Sequence, residues 1–395
     1  MEKKMINITR KNHLKKYILT IFLSISSLSN AGEIQGIDLN YITTDQGPFT
    51  PEETYFSTIF TDINKINSNG AVSWVESDVL APGFSIVNDD EVNMSHCFMT
   101  SGVNPDDGTI KQCSDPFQSS KRIKLNSNKA GTEIDLVFDV NAIMGATNTY
   151  RILEKYLNVT NFTMSDIKIE LGFGTANDFV PAVSDIGLDF SDNEGNIWLV
   201  ETVTGDVNSL SLDALFPFGL FGDAKNDPNH SVDGYFDPDN RARFHLSATR
   251  GMIQSTGISA NYHDLIGDFM SKSQVLEGIF FDYDDDEETE AATIAHFTDI
   301  GWISFRTDQF WADVGMTPPA LNLDGTIIDS TINAWLSDPL FETGSIEDLA
   351  NLNLNYHVSI GDISLWPTYD SNLMTAQFTL RISSISTIFK NGFEL

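Results

Sequence analysis

The sequence has few cysteines and few basic residues. Its 395 residues include only two cysteines, too few for a disulfide-stabilised mini-protein or a four-cysteine zinc site. Lysine and arginine number 23 against 56 aspartates and glutamates, which gives a formal charge of −33. Because phosphate groups are bound mainly by lysine and arginine, this charge argues against nucleic acids and anionic lipid headgroups as partners. With 41% hydrophobic residues, the chain can nevertheless bury a core.

Catalytic signatures are also missing. The sequence has no GxSxG, HExxH, P-loop or GxGxxG motif. Its histidines do not occur at a two-histidine spacing suited to a catalytic metal, and with so many acids a pair of carboxylates is not diagnostic of a glycosidase. We therefore predict a protein without enzymatic activity and keep a secreted hydrolase as an alternative.

Residues 1–31 have the pattern of a secretory signal. Six basic residues precede an apolar run at 17–28, and Ser29-Asn30-Ala31 supplies small residues at the −3 and −1 positions of a cleavage site. The run has about 12 residues, whereas a membrane-spanning helix needs roughly 20. We expect cleavage after Ala31, no membrane insertion afterwards, and a secreted or cell-surface protein. Removing six basic residues and one acid changes the formal charge to −38.

Export gives the two cysteines a role. Cys97 and Cys113 lie 16 positions apart, and in an oxidising compartment such a pair is expected to form a disulfide. A redox or metal-binding pair is the alternative, which the absence of a Cys-x-x-Cys spacing disfavours.

Apolar residues alternate with polar ones over strand-length segments, which is typical of half-buried strands. The predicted strands are residues 71–75, 122–125, 134–140, 150–159, 167–171, 197–200, 352–360 and 377–382. Clusters of Gly, Asn, Asp and Pro separate them. The pattern predicts an all-β fold, namely an elaborated antiparallel β-sandwich, jelly-roll-like, with long loops and a few short helices.

Helices are expected at four places, and the chain is expected to form one domain. Residues 51–66 follow a plausible helix start at Thr50 and Pro51. The other short helices are predicted at 262–270, 291–297 and from Ser345. The domain covers 32–385, and residues 202–270 are predicted to form a loop-rich surface insertion. Residues 386–395 form a short tail with two interpretations, a sorting tag or an ordinary strand terminus.

Several segments resemble the bacterial secreted proteins called the choice-of-anchor F family. They are CSDPFQSSKRIKL at 113–125, IELGFG at 169–174, FVP at 179–181, GLFG at 219–222, GYFD at 234–237 and GIFFD at 278–282. The resemblance implies an exported protein with a β-rich domain of unknown activity and a C-terminal surface-sorting signal. This chain departs from the family at its end, where IFKNGFEL at 388–395 takes the place of an apolar helix followed by basic residues.

The acidic run at 282–290 is the main candidate for a metal site. Alternating carboxylates would share one side of an extended loop and could provide the oxygen ligands that Ca²⁺ requires. These carboxylates are Asp282, Asp284, Asp286, Glu288 and Glu290, with weaker calcium candidates at Asp192, Glu194, Asp237 and Asp239. The alternative is a solvated charge run that keeps the protein soluble.

Aromatic residues concentrate in the last third of the chain. Trp302, Phe305, Phe310, Trp311 and Trp335 would form a sugar-stacking platform if exposed and part of a core if buried, and we favour the core. Together these observations predict an exported cell-surface or extracellular protein of structural or interaction type, stabilised by Ca²⁺, with a surface polysaccharide or matrix component as its partner. A carbohydrate-binding module is the first alternative.

Overall fold

The structure of the chain is a computed structural model. It describes residues 30–44, 54–75, 78–88, 96–104, 108–113, 121–129, 131–191, 201–203, 242–260, 269–283, 291–304 and 306–386. About half of the chain is strand and 9% is helix, which confirms a mostly β protein.

The elements follow one another in this order. The strands are β1 Asn30–Ile37, β2 Tyr55–Phe60, β3 Ser68–Trp74, β4 Ser85–Val87, β5 Cys97–Met99, β6 Ile123–Ser127, β7 Glu133–Met144, β8 Asn148–Asn158, β9 Met164–Phe173, β10 Val180–Pro181, β11 Leu188–Ser191, β12 Glu201–Val203, β13 Ala242–Thr249, β14 Met252–Ala260, β15 Glu277–Phe281, β16 Ala292–Thr298, β17 Gly301–Ile303, β18 Phe341–Ser345, β19 Asn351–Ile360 and β20 Thr375–Ser386. The helices are α1 Asp308–Asp313 and α2 Asp329–Trp335, with 3-10 turns at Ala176–Asp178, Glu347–Ala350 and Ile363–Leu365.

The strands form three largely antiparallel sheets. The first has the order β1-β7-β20-β9-β14-β13-β12, with β10 paired to β9. The second has the order β11-β19-β8-β6-β3-β2. Two short strands lie off this path: β5 pairs with β8, and β4 pairs with β5. The pairings of β8 with β5 and β6 are parallel. The third sheet is β17-β16-β15-β18.

Side chains from the first and second sheets meet in one hydrophobic core. In β7, Phe138 and Val140 point into this core, and in β8, Tyr150 and Ile152 do so. The rings of Phe98 in the second sheet and Phe138 in the first meet edge to face, with centroids 4.8 Å apart. The alternation expected of strands therefore places every second residue of β7 in this core.

The third sheet has a separate core built largely from aromatic rings. Thr307 caps α1 by accepting a hydrogen bond from the Phe310 backbone N–H at 3.2 Å, a stabilising helix start. The Trp311 and Trp335 rings stack at 6.0 Å between centroids. Phe310, Trp311 and Trp335 are buried, and Trp302 packs partly buried against them. These rings belong to the core, as favoured from the sequence; Phe305 lies outside the described residues.

Most predicted strands are confirmed, whereas two predicted helices are wrong. Strands occur at all the predicted positions except 197–200, which lies outside the described residues. Residues 55–60 and 292–298 are strands β2 and β16. A helix start at Pro51 is a local signal, and pairing of β2 with β3 and of β16 with β15 overrides such propensities.

Two further predictions need correction. Part of the presumed surface insertion at 202–270 is sheet, because β13 and β14 form a hairpin that joins the first sheet beside β9. The predicted helix from Ser345 is a 3-10 turn at Glu347–Ala350. Most of residues 262–270 lies outside the described part of the chain.

Candidate functional site

Of the predicted calcium ligands, the described residues include only Asp282. Asp282 follows β15, and its backbone N–H donates to the Leu340 carbonyl at 2.8 Å. Asp284, Asp286, Glu288, Glu290, Asp192, Glu194, Asp237 and Asp239 lie outside the described residues. Among the residues that the structure does describe, no three His, Cys, Asp or Glu side chains form a group that could hold a metal ion.

The predicted disulfide between Cys97 and Cys113 is confirmed, with Cα atoms 5.8 Å apart. Cys97 lies in β5 and packs with Val87, Met99 and Leu153 in a small apolar cluster that also includes Cys113. The Lys121 ammonium donates to the Cys113 carbonyl at 2.9 Å. The bond therefore fixes the segment after β5 to a buried part of the second sheet.

A polar pocket of about 530 Å³ opens on the outer side of the first sheet. We call it the β7–β20 pocket. It is lined by Gln35, Asp139, Asn141, Thr368, Thr375, Ala376 and Gln377. None of these seven residues carries a positive charge or an aromatic ring, so the pocket offers amide, hydroxyl and carboxyl groups.

Strand alternation and register build this pocket. Phe138 and Val140 of β7 point into the core, so Asp139 and Asn141 between and after them point outwards. In β20, Gln377 lies directly opposite Asp139 in the ladder, and Thr375 opposite Asn141. The ladder between β1 and β7 shifts between Ile34 and Gly36, and the extra residue in this bulge is Gln35.

The Gln377 side chain joins two aspartates. Its amide nitrogen donates to Asp38 Oδ2 at 2.9 Å and to Asp139 Oδ1 at 2.8 Å. The other Asp38 oxygen accepts from the backbone and side-chain nitrogens of Asn40. The Gln377 backbone N–H donates to Thr368 Oγ1 at 3.1 Å. Because both amide hydrogens of Gln377 are engaged, its side chain is held in place and its carbonyl oxygen remains available as an acceptor.

The two aspartates have different environments. Asp38 is only 5% exposed and does not line the pocket, whereas Asp139 does. Partial burial raises the pKa of Asp139 above its usual range, with a smaller contribution from the negative charge of Asp38, while the Gln377 hydrogen bond opposes the increase. Among the described residues, Asp139 is the one carboxyl group that lines the pocket.

A second titratable cluster lies in the core and was missed by the sequence analysis. Tyr356 Oη donates to Glu154 Oε2 at 3.1 Å, and the buried Oε1 atom has no hydrogen-bond partner among the described residues. Burial raises the pKa of Glu154 to about 8. The nearby Tyr156 donates to Ser384 Oγ at 3.0 Å. Glu154 occupies the same alternate positions of β8 as Tyr150 and Tyr156. An acid on the apolar side of a strand is the sequence signal that could have revealed this cluster.

The structure contains no helix, within the residues it describes, that is long and apolar enough to cross a membrane. Comparisons of the chain with protein-family models, with curated proteins and with solved structures found no match.

Proposed function

We propose that this chain is an exported protein that acts outside the cell by binding a partner, without catalysing a reaction. The observation that carries this proposal is the β7–β20 pocket, which presents hydrogen-bonding groups on two strands that are paired with each other. Preorganised polar groups favour recognition because little side-chain freedom is lost on binding. The signal-like N-terminus, the Cys97–Cys113 disulfide and the resemblance to the choice-of-anchor F family support an extracellular location.

The arrangement of carboxyl groups favours binding over hydrolysis. Glycoside hydrolysis usually needs two carboxyl groups that flank the scissile bond. Asp139 lines the pocket, but Asp38 is buried and has its oxygens occupied by Gln377 and Asn40. The buried rings of Trp311 and Trp335 likewise disfavour a carbohydrate-binding module that stacks sugars on those side chains.

We further propose a finer architecture for the chain. Because the first two sheets share a core, they would form an elaborated β-sandwich of jelly-roll type. The third sheet would belong to the same domain, which covers residues 32–385, and residues 386–395 would serve as the sorting tag.

Export can be tested by N-terminal sequencing and alkylation of the protein recovered from culture medium or cell surface. The mature protein is expected to begin at Gly32, two residues into β1, and to have no thiol that reacts before reduction. An added Cβ at Gly32 would clash with the Ile360 side chain, so a Gly32→Ala variant of the full chain is expected to be less stable and gives a folding control. Recovery of the intact chain from the cytoplasm with two reactive thiols would contradict the proposal.

Calcium binding at 282–290 is a second, separate proposal. The alternating carboxylates would bind Ca²⁺ and be less repelled by one another, so the ion is expected to raise the thermal unfolding temperature more than Mg²⁺ does. Equilibrium dialysis of the mature protein measures the bound ion directly. Absence of bound ion at millimolar Ca²⁺ would exclude the loop at 282–290 together with the weaker loops around Asp192 and Asp237.

A further inference from the structure

We infer that the β7–β20 pocket binds a neutral carbohydrate through the ligand's hydroxyl groups. The inference rests on the proposed function, because the protein would encounter this ligand outside the cell. It adds the chemical class of the ligand. It does not depend on aromatic stacking, because no aromatic side chain is among the residues that line the pocket.

The pocket has an excess of hydrogen-bond acceptors. Gln377 uses its amide nitrogen for Asp38 and Asp139, so its side-chain carbonyl oxygen is the group left to accept a hydrogen bond from a ligand. The Gln35 amide nitrogen donates to the Glu33 side chain at 2.8 Å, which also leaves its carbonyl oxygen as the free group. Asp139 has a second carboxyl oxygen besides the one that binds Gln377. Such a set selects a ligand that donates several hydrogen bonds, as a sugar ring does.

Hydroxyl groups of the protein complete the set. Thr375 lines the pocket beside Asn141, and a threonine hydroxyl can donate as well as accept. Asn141 lies directly opposite Thr375 in the β7–β20 ladder. A sugar hydroxyl, which also donates and accepts, can pair with either residue.

Charge disfavours anionic ligands and divalent cations in this pocket. None of the pocket residues is a lysine or arginine, so phosphate, sulfate and carboxylate ligands would meet Asp139 without a counter-charge. A divalent cation needs several charged oxygens, and the single carboxyl group that lines this pocket supplies few of them. A quaternary ammonium ligand would lack the aromatic face that usually surrounds it, whereas a primary amine would pair with Asp139, and the Asp139→Asn variant below distinguishes it from a sugar.

Size and rigidity agree with a sugar ligand. The volume of about 530 Å³ lies within the range of roughly 300–1,000 Å³ that is usual for small-molecule pockets. Gln377 is fixed by Asp38 through its side chain and by Thr368 through its backbone. A ligand that lacks the required hydroxyl groups would leave these acceptors unpaired, which gives the site its selectivity.

The test uses the mature secreted protein on an array of neutral glycans, followed by titration calorimetry with the best-binding oligosaccharide. Asn141→Ala is expected to weaken binding about 3- to 10-fold, the usual effect of one hydrogen bond. Gln377→Ala is expected to weaken it more than 10-fold. Gln309→Ala removes an exposed amide on α1 that does not line the pocket, so it is the matched control and should leave binding unchanged. Thermal unfolding of each variant verifies that it is folded.

Asp139→Asn separates a sugar from a cation as the occupant. The amide retains an acceptor oxygen, so a neutral glycan should still bind within a few-fold of the wild-type affinity. A cation would lose the one carboxylate found among the described residues that line the pocket. The inference is overturned if no neutral glycan binds, if the Asn141 and Gln377 variants bind unchanged, or if Ca²⁺ binds the pocket and Asp139→Asn abolishes that binding. A secreted, oxidised protein that binds no glycan would leave the proposed export intact and refute only the ligand class.

Discussion

Arg381→Met is expected to lower the free energy of unfolding by about 3–5 kcal/mol, the usual cost of leaving one partner of a buried ion pair uncompensated. Arg381 Nε donates to Asp135 Oδ1 at 2.6 Å, and Nη2 donates to Oδ2 at 2.8 Å. The Asp135 side chain is completely buried. Methionine fills a similar volume but cannot neutralise this carboxylate. Urea unfolding of the two proteins, monitored by fluorescence, measures the difference.

The loss should extend beyond the ion pair itself. Arg381 Nη2 also donates to the Ala176 carbonyl at 2.8 Å, and its guanidinium lies 3.9 Å from the centre of the Phe179 ring. Asp135 accepts from the Ala176 backbone N–H at 2.8 Å. The pair therefore fastens the segment between β9 and β10 to the outer side of the first sheet, and this segment should exchange its amide hydrogens faster in the variant.

A more exposed pair on the neighbouring strand gives a comparison. Lys168 and Glu170 are 2.9 Å apart, with side chains 38% and 12% exposed. Lys168→Met should cost less than Arg381→Met, because water reaches this pair and Glu170 depends on its counter-charge less than the fully buried Asp135 does. The double variant Asp135→Leu/Arg381→Met should be more stable than Arg381→Met alone, since it removes the unpaired charge. Equal losses in Arg381→Met and Lys168→Met would contradict the burial argument.

Glu154→Gln is expected to remove a large pH dependence of stability. The pKa of Glu154 is about 8 in the folded protein, against an ordinary value of 4.5. Between these values the folded protein keeps the proton and the unfolded chain releases it. The contribution of Glu154 to stability is therefore fully present below pH 4.5 and falls by about 1.4 kcal/mol for each pH unit as pH rises to 8.

Glutamine has nearly the same shape but no proton to lose. Its carbonyl oxygen can still accept the hydrogen bond from Tyr356. The variant should gain stability relative to the wild type as pH rises, by roughly 4–5 kcal/mol at pH 8 compared with pH 4.5. Urea unfolding at several pH values between 4.5 and 8.5 measures this difference.

Other carboxyl groups also titrate in this range, so a second glutamate is needed for comparison. Glu342 is exposed on β18, and Glu342→Gln serves as the comparison because it replaces a surface carboxyl group with an amide of the same shape. Parallel stability curves for the wild type and Glu154→Gln between pH 5 and 8 would show that the buried carboxyl does not retain its proton.

Alternation of apolar residues was sufficient to find most strands. β7, β8, β19 and β20 were predicted because each shows one apolar and one polar side over several residues. β2 was mistaken for a helix because the start signal at Pro51 is local. β13 and β14 were missed because the surrounding Gly, Pro and Asn residues resemble loop sequence, although these strands pair with each other and with β9.

The β7–β20 pocket could not be found in the same way. Asp38, Asp139 and Gln377 are separated by a hundred residues or more along the chain. They meet because β7 lies between β1 and β20 in the first sheet and because the ladder pairs Gln377 with Asp139. Polar residues on the outer side of a strand are common, and their sequence positions alone do not distinguish a binding pocket from ordinary surface.

The sequence by itself determined the acidic charge, the mostly β character and the identity of the cysteine pair. Strand alternation is a property of neighbouring residues, and two cysteines allow a single intramolecular bond. Only the tertiary structure decided which strands lie side by side, how Gln377 joins two aspartates, and that Glu154 lies in a core. These features depend on strand order and register, which long-range packing sets, so they cannot be obtained from neighbouring residues alone.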